Sequence, residues 1–591
     1  MTLLADPIAP EVGLPSVLRV PRRRPLHRRL ARVLRPTEGR LVFLLAVAGY
    51  VATAVALTFH YGLISVDGIS RTANAAYVVD SRFPHLAAIG FVWNPLPSLV
   101  QVPFVPLGTL WPALLGTGFL GDLQSAAFMA GSVALVCLIL RDWGCSRPVR
   151  YLLTALYALH PLVIYYGADG MSEAALLFCV LLATRYLARW LRLGRDSDLV
   201  RLGLALALGY TARYETLATG AAAVAAVVIV AARRSTVRGA RGRLRSASVD
   251  GFLAGAPFVF AVALWAVTSK IIVKAWFPTF SSSYGNSQQV SGGITAIRRV
   301  TGLGTPREWG YLAHQLFALE PLALIAITGA LALAVVRRDN RVIAPLAALG
   351  ALLLFDVLAF STGHTYGWLR FYIAEIPLTV LLAGSVAGHH LAALRNPPRN
   401  LLARWLLATS RVALNVVLAT VAVVIAAPGL VTGYAVMTNP TLGREEAGEL
   451  TAVLAPVRAT PQDRQSMIRF TVERRIAQDI AALHLRHGAV LTDSGNAFAV
   501  LANAPDMRTY VITSDYDFQP AVADPPRFHV EYLLVPSSTF FDAVEAAYPT
   551  LYADGGGFAT LVRFWRGTFW TPDWKLYKIT DPAVLSGVAA G

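Results

Sequence analysis

Residues 61–97 have the sequence YGLISVDGISRTANAAYVVDSRFPHLAAIGFVWNPLP and directly follow an apolar run at 41–60. A run of about 20 apolar residues matches the hydrocarbon thickness of a bilayer. A segment that only anchors a span needs few charges, yet this stretch contains Asp67, Arg71, Asn74, Asp80, Arg82 and His85. Because ionisable groups near a bilayer are costly, the stretch indicates a place where something polar is held at the membrane surface.

The rest of the chain repeats this pattern of long apolar blocks and short basic links. The 591 residues are 55% hydrophobic and only 15% charged, whereas a soluble protein carries about 25% charged residues. After 41–60, blocks suited to crossing a membrane lie at 122–140, 151–167, 173–190, 199–213, 216–232, 251–269, 316–336, 342–361, 371–392 and 412–434. We therefore predict a mainly α-helical, polytopic transmembrane bundle with about eleven spans.

The positive charge follows the predicted topology. The formal net charge is +17, and the basic residues lie in the N-terminal tail 1–40 and in every second link. The positive-inside rule explains this distribution without a nucleic-acid partner, and it places the N-terminus in the cytoplasm. We expect a multi-pass protein of the cell (plasma) membrane, in which the odd number of spans leaves the region after residue 437 outside.

Two regions outside the spans have their own character. In the long first outer loop, 61–121, closely spaced prolines prevent one regular helix and predict short helices lying in the membrane interface. The region 437–591, after the transmembrane region 41–436, combines an amphipathic helix with β-branched and aromatic runs such as VEYLLVPS and WKLYKI. These runs are bounded by turn residues and predict strands, so we expect a C-terminal extracytoplasmic α/β domain.

The polar residues near the spans share one predicted face. With the N-terminus in the cytoplasm and the spans crossing alternately, the outer span ends and loops hold Asp67, Arg71, Asp169, Glu173, Arg213, Glu215, His364, Arg370 and Tyr372. A carboxylate can accept a proton from a hydroxyl group, and arginines can neutralise a phosphate. Apolar helices beside them can admit a lipid chain. Together these groups are what the transfer of a sugar from a lipid phosphate to a hydroxyl requires.

Each of these residues also has a purely structural interpretation. Asp67 suits the N-cap of a short helix, and Asp169 suits the cap of the span that follows it. Arg213 and Glu215 suit an ion pair that closes a tight turn, and Arg370 suits a snorkelling residue at the end of a span. His364 suits a solvated loop histidine. Their joint placement on one face favours function, because structural roles do not require a common face.

At this point the sequence resembles a known family, the GT-C superfamily of membrane glycosyltransferases, which includes the protein O-mannosyltransferases. The resemblance covers 40–435 in organisation, and its local motifs are SVDGISR, FVWNPLPSLV, GYTARYETL and GHTYGWLRFY. It implies an inverting transfer from a polyprenyl-phosphate sugar to a glycan, lipid or protein hydroxyl. Asp67 matches the first-loop acid and would be the general base, and Arg213 and Arg370 would bind phosphate.

One departure from the family affects the expectation about metals. Many members carry two adjacent acids in the first loop, whereas here Asp67 is followed by Gly68. The second acid is then either unnecessary or supplied by Asp80, Asp169 or Glu173. Because a lone carboxylate is a poor divalent site, we expect metal-independent catalysis and no cofactor.

Two other functions remain open at the level of sequence. A transporter or flippase for lipid-linked glycans should carry ionisable residues in the middle of its spans, and here only Glu320 and Asp356 do so. A non-catalytic assembly factor would use the membrane region to display the outer domain. Loss of activity with intact folding on Asp67→Asn would argue against that function.

Overall fold

The structure is a computed structural model that describes residues 38–235, 239–337, 339–387, 413, 416–537 and 540–581. Most of the predicted cytoplasmic tail 1–40 lies outside the described residues. The same holds for the C-terminal end of the predicted span 371–392 and for the start of the span 412–434.

Within the described ranges, eight helices are long and apolar enough to cross a membrane. They are Glu38–His60, Phe119–Asp142, Glu173–Leu193, Thr216–Arg234, Ala240–Val273, Ile343–Ser361, Leu369–Ala387 and Val416–Met437. A bent pair, Arg307–Leu319 and Ala323–Val336, meets the same test only if its two parts are taken together, and the angle between them is 75°. The polytopic helical bundle predicted from the sequence is confirmed.

The predicted count of eleven spans is not reproduced. The block 151–167 forms two helices, Arg147–Ala158 and Pro161–Tyr166, because the helix ends before Pro161, which lacks the backbone N–H of a helix interior. The block 199–213 forms the helix Asp196–Ala212, which has 17 residues. It is one residue shorter than the 18 that define the eight long apolar helices. The block 316–336 is the bent pair, and it breaks at Glu320.

The helix Leu369–Ala387 lies at the centre of the bundle, and its most apolar stretch of 18 residues is wholly buried by protein. Small residues let its neighbours approach closely, as is common between helices in membranes. A Cβ atom on Gly384 would lie 2.2 Å from a methyl carbon of Leu140. A Cβ atom on Gly131 would likewise lie 2.7 Å from the ring of Phe178. The centre of the bundle is therefore closely packed and fixes where Leu369–Ala387 begins.

The first outer loop contains one regular helix and several short ones. The helix Val66–Asp80 begins at Ser65, whose hydroxyl accepts a hydrogen bond from the Gly68 N–H at 3.2 Å. After it come Leu86–Ile89, Leu96–Leu99, Val102–Thr109 and Ala113–Gly116. The proline-broken helices expected in this loop are thus present. The remaining helices of the membrane region are Pro278–Ser281 and Asn286–Thr301.

The C-terminal region forms the predicted α/β domain. Its strands are β1 (Val490–Leu491), β2 (Tyr510–Val511), β3 (Tyr532–Pro536), β4 (Ala559–Trp565) and β5 (Trp574–Ile579). They make one sheet in the order β2-β1-β3-β5-β4, parallel from β2 to β3 and antiparallel beyond. Its helices include Ala447–Leu454, Pro461–Gln465, Thr471–Ala481, Ser494–Ala502, Phe518–Ala523, Ala543–Ala547 and Leu551–Asp554.

This domain packs directly on the helix Val66–Asp80 of the first loop. Ile69 and Tyr77 share one apolar core with Val490 and Val500. Arg82, just after the helix, makes ion pairs with Asp517 and, at 3.6 Å, with Asp515. The domain therefore braces the helix that carries Asp67.

Candidate active site

The chain brings five span ends together at one end of the bundle. Asp67 follows the span Glu38–His60, while Glu173 and Arg370 open their own spans. Arg213 precedes Thr216–Arg234, and Glu445 follows Val416–Met437. The shared face predicted from the sequence is present, because these residues contact one another as described next.

Arg370 lies at the centre of this arrangement. Its Nη1 is 3.2 Å from Oδ2 of Asp67, and its Nε is 3.1 Å from Oε2 of Glu445 and 3.7 Å from Oε1 of Glu173. The side chain of Arg370 is only 8% exposed, whereas that of Asp67 is 47% exposed. Arg370 is thus a buried cation rather than a snorkelling one, and the carboxylate of Asp67 remains open to an incoming group.

Two further arginines complete the group. Arg213 makes short ion pairs with Glu173 and Glu215. The hydroxyl of Ser172 accepts hydrogen bonds from Nη1 of Arg213 and Nη2 of Arg71, both at 3.2 Å. We define the Arg370 cluster as Asp67, Arg71, Glu173, Arg213, Glu215, Arg370 and Glu445. The ion pair of Arg213 with Glu215 is the local pair expected for a tight turn, but Arg213 also reaches a different span through Glu173.

Aromatic rings hold the arginines of the cluster from one side. Tyr366, Trp368 and Phe371 lie nearly parallel, with interplanar angles of 5° and 6°. The guanidinium carbon of Arg370 is 4.7 Å from the centroid of Trp368, and that of Arg213 is 5.5 Å from the centroid of Phe371. Cation–π contacts of this kind stabilise a desolvated guanidinium, so the rings orient the two arginines.

Not every N–H of the cluster is satisfied within the protein. In the described part of the chain, the buried Nε atoms of Arg71 and Arg370 have no aligned hydrogen-bond acceptor. Buried donors are normally paired, and a guanidinium is well shaped to bind the oxygens of a phosphate. Two guanidinium donors without an aligned hydrogen-bond acceptor, beside an open carboxylate, form a suitable site for an anionic ligand.

The charges of the cluster act on its acids. Burial acts to raise the pKa of Asp67, but the nearby cations Arg370 and Arg71 outweigh burial, and the pKa of this carboxyl is lowered. Asp67 is therefore ionised at neutral pH. Burial has the larger influence at Glu445, where it raises the pKa to about 8 despite the opposing charge of Arg370.

Asp169 lies beside the cluster rather than in it. Its carboxylate accepts a hydrogen bond from the N–H of Met171 at 3.1 Å, so it shapes the loop and does not cap the following span. Burial and the charge of Glu173 raise its pKa well above the usual range. Asp169 lines a separate small pocket together with Leu57, Thr58, Leu63, Ser65, Asp122, Tyr165, Ala168 and Glu449.

The backbone of Asp169 explains why Asp67 has no acidic neighbour. A Cβ atom on Gly68 would lie 2.6 Å from the carbonyl oxygen of Asp169 and 3.3 Å from Cα of Gly170. A residue with any side chain at position 68 would displace that loop. Of the alternative second acids, Glu173 contributes to the cluster, whereas Asp80 lies at the far end of the helix that carries Asp67.

Two predicted site residues are placed away from the cluster. The exposed ring of His364 contacts the hydroxyl of Thr362 at 3.0 Å, as a solvated loop histidine does. Tyr372 is completely buried in the core of the bundle, although it lies only two residues from Arg370. The 3₁₀ turn Leu369–Tyr372 directs these two neighbours to different surroundings.

Sequence reasoning missed Glu445. The stretch GREEAGEL follows the last span and was assigned to the C-terminal domain without a role. Two adjacent acids within ten residues of a span end were the available signal. Across the described ranges, no group of three or more His, Cys, Asp or Glu residues is arranged to hold a metal ion, and metal independence stays a prediction.

The sequence matches no protein-family model and no curated protein. Among solved structures, the chain is similar to ArnT from Cupriavidus metallidurans in the apo state, at 14% identity and a TM-score of 0.43, with 91% of this chain and 98% of that one covered. It is also similar to the oligosaccharyltransferase AglB from Archaeoglobus fulgidus in complex with an inhibitory peptide and a dolichol-phosphate. That match has 12% identity, a TM-score of 0.38 and coverage of 87% and 70%.

A further similar structure is the Archaeoglobus fulgidus oligosaccharyltransferase tethered to an acceptor peptide, at 10% identity and a TM-score of 0.37, with 88% and 72% covered. All three TM-scores lie below 0.5, and the function proposed next is therefore argued from the cluster itself.

Proposed function

We propose that the protein is a membrane glycosyltransferase that moves a sugar from a polyprenyl-phosphate donor to a hydroxyl acceptor, with inversion, at the outer face of the membrane. The observation that supports this most directly is the contact of the Asp67 carboxylate with Arg370 at 3.2 Å, beside two guanidinium donors that lack acceptors. A base and a phosphate site within one group of residues are the two parts that such a transfer needs.

In the proposed step, Asp67 accepts the proton of the acceptor hydroxyl while the hydroxyl oxygen bonds to the anomeric carbon. The bond from that carbon to the phosphate oxygen breaks, and its electron pair stays on the lipid phosphate, which leaves with an additional negative charge. Arg370 and Arg71 stabilise this charge through their guanidinium groups, whose Nε atoms have no aligned acceptor in the described chain. Asp67 then returns its proton to water.

Donor binding also prepares the base. Arg370 and Arg71 lower the pKa of Asp67 in the free protein, and a bound phosphate neutralises the same two cations. The pKa of Asp67 then rises toward a value better suited to proton abstraction. Asp67 is thus kept ionised before the donor binds and becomes more basic once the donor is present.

The first loop offers a place for the lipid chain. Phe104, Leu107 and Leu110 of its short helices are exposed in the described structure, and Trp111 stacks on Phe59 of the first span. In a bilayer these apolar side chains contact hydrocarbon. Val105 of these short helices shares an apolar core with Ile69 of Val66–Asp80, so a lipid lying against them would be next to the helix that carries Asp67 and Arg71.

The test uses the purified full chain with a panel of radiolabelled polyprenyl-phosphate sugars and a cell-envelope extract as acceptor. We expect one donor to be consumed, and Asp67→Asn to lower the rate by about 10²–10⁴-fold, the usual contribution of a positioned base. Asp80→Asn, on the same helix, is the matched control and should keep the rate. Full activity in Asp67→Asn would refute the proposed role.

A transporter for lipid-linked glycans is the second candidate. The bent pair Arg307–Leu319 and Ala323–Val336 has the buried Glu320 at its break, and interrupted helices with a polar residue are typical of transport sites. Movement of a labelled lipid-linked glycan across vesicles containing the protein, with no sugar transferred, would favour this function.

A further inference from the structure

Arg370 is shared by acids from three distant parts of the chain. Asp67 belongs to the first loop, Glu173 opens a span, and Glu445 comes after the last described span. The contact of Glu445 with Nε of Arg370 is close at 3.1 Å, yet this N–H has no aligned acceptor in the described chain. Glu445 therefore neutralises the charge of Arg370 without a well-formed hydrogen bond.

Glu445 is the acid of the cluster best placed to move away. Its side chain is 26% exposed, and its second contact is an accepted hydrogen bond from the hydroxyl of Tyr166 at 3.3 Å. Glu173 and Glu215 are each only 2% exposed and are fixed by short contacts to Arg213. A phosphate that approaches Nε of Arg370 meets Glu445 first.

When Glu445 is ionised, the charge balance of the cluster opposes the binding of a phosphate. Three guanidinium groups then face four carboxylates, and a bound phosphate adds further negative charge. Like charges a few ångströms apart in a poorly solvated place repel strongly, so phosphate and an ionised Glu445 compete for Arg370. The other charges facing Glu445 are those of Glu446, Asp67 and Glu173, and each adds to this repulsion.

We propose that Glu445 is a positioning residue that holds Arg370 until a lipid phosphate takes its place, and that Glu445 is protonated while the phosphate is bound. This inference rests on the proposed function, because it assumes a phosphate at Arg370. It adds that binding of the donor requires the uptake of a proton. The proton is taken up by Glu445, in the segment that links the spans to the C-terminal domain.

The sign of the pH dependence follows from the free protein. The pKa of Glu445 is raised to about 8 by burial, so Glu445 is largely neutral at pH 7 and ionised at pH 9. A bound phosphate raises this pKa further. Binding then takes up one proton above pH 8, and the affinity falls by up to about tenfold per pH unit there. A phosphate monoester loses its second proton near pH 6, so the ligand keeps a constant charge of about −2 throughout this range.

The experiment measures binding of farnesyl phosphate, a short isoprenyl monophosphate, to the detergent-solubilised full chain by calorimetry between pH 7 and 9.5. Two buffers with different ionisation enthalpies give the number of protons taken up. We expect close to one proton at pH 9 and few at pH 7 for the native chain. The variant Glu445→Gln should bind with no proton uptake and with a flat pH profile.

The adjacent acid provides the matched control. Glu446 accepts a hydrogen bond from Tyr166 at 2.5 Å, and Glu446→Gln should still take up close to one proton at pH 9. Its pH profile should move to lower pH, because the charge of Glu446 helps to raise the pKa of Glu445. A native chain that binds farnesyl phosphate without proton uptake at pH 9 overturns the inference, as does an unchanged profile in Glu445→Gln. Absence of binding at every pH would instead contradict the proposed function, so the two failures are distinguishable.

Discussion

The two ends of the helical bundle use buried arginines in different ways. At one end, Arg150 is 6% exposed and donates to Glu38 from Nε and Nη2 and to the carbonyl of Cys145 from Nη1. At the other end, Arg370 is 8% exposed and has three carboxylates nearby, yet its Nε lacks an aligned acceptor. Equal burial therefore does not indicate an equal role: the satisfied arginine stabilises the fold, and the unsatisfied one remains able to bind a ligand.

The largest effect expected from this comparison is on catalysis. Arg370→Gln removes the charge that would stabilise the leaving phosphate, and sugar transfer should fall by about 10²–10³-fold, as for the loss of one transition-state donor. Arg150→Gln should destabilise the fold by about 1.5–3 kcal/mol, because it removes the charge-assisted hydrogen bonds to Glu38, which keeps only its contact with Tyr151. Transfer per folded molecule should stay unchanged in Arg150→Gln. For both variants, the rate of sugar transfer is measured on the protein that elutes as a monodisperse peak in size-exclusion chromatography, so that only folded molecules are counted.

The outcome that would break the comparison is equal behaviour of the two variants. If Arg150→Gln loses transfer as strongly as Arg370→Gln after correction for the folded fraction, then the unpaired N–H of Arg370 does not distinguish its role. Binding of farnesyl phosphate by both variants provides a second readout that does not depend on the acceptor.

A smaller effect should follow from filling the close approach beside Asp67. Gly68→Ala places a methyl group against the carbonyl oxygen of Asp169, and we expect a loss of stability of about 1–3 kcal/mol, as for other overpacked sites. Gly49→Ala is the matched control, because a Cβ atom on Gly49 meets nothing within 4 Å. Thermal melting in detergent compares the two. A Gly68→Ala variant as stable as Gly49→Ala would show that the loop at 168–170 adjusts freely.

The smallest effect concerns a contact between the membrane region and the C-terminal domain. The hydroxyl of Tyr284, in the long loop after Ala240–Val273, donates to Asp493 of the C-terminal domain at 2.6 Å. Tyr284→Phe removes one hydrogen bond and should cost about 1 kcal/mol of stability, while Tyr516→Phe, at an exposed ring, should cost nothing measurable. Limited proteolysis of the loop 274–285 measures the difference. Equal cleavage rates in the two variants would mean that this contact does not hold the loop.

The sequence predicted most of the spans, the strands and the common face because these follow from local patterns. Hydropathy and basic links determine where a span begins and ends, so Asp67, Arg213 and Arg370 could be placed on one face without coordinates. The contact between Asp67 and Arg370 joins residues 303 positions apart, and packing alone decides which span ends become neighbours.

The features that the sequence alone does not place have the same physical origin. Tyr372 is close to Arg370 in sequence, but the 3₁₀ turn Leu369–Tyr372 gives the two residues different surroundings, and the binding role of Tyr372 stays a prediction. Glu445 was overlooked because its role depends on the return of the chain to Arg370 after the last span. The break before Pro161 was also underestimated, since the apolar composition of 151–167 continues through it.

The enclosure of Leu369–Ala387 has a consequence for how the protein is made. Protein surrounds this helix on all sides, and its mean hydropathy is among the lowest of the eight spans. A weakly apolar segment partitions into a bilayer less readily on its own, so we expect its insertion to depend on partner helices that are synthesised earlier. Arg370 would then reach its final position, and its contacts with Asp67 and Glu445, late in biogenesis.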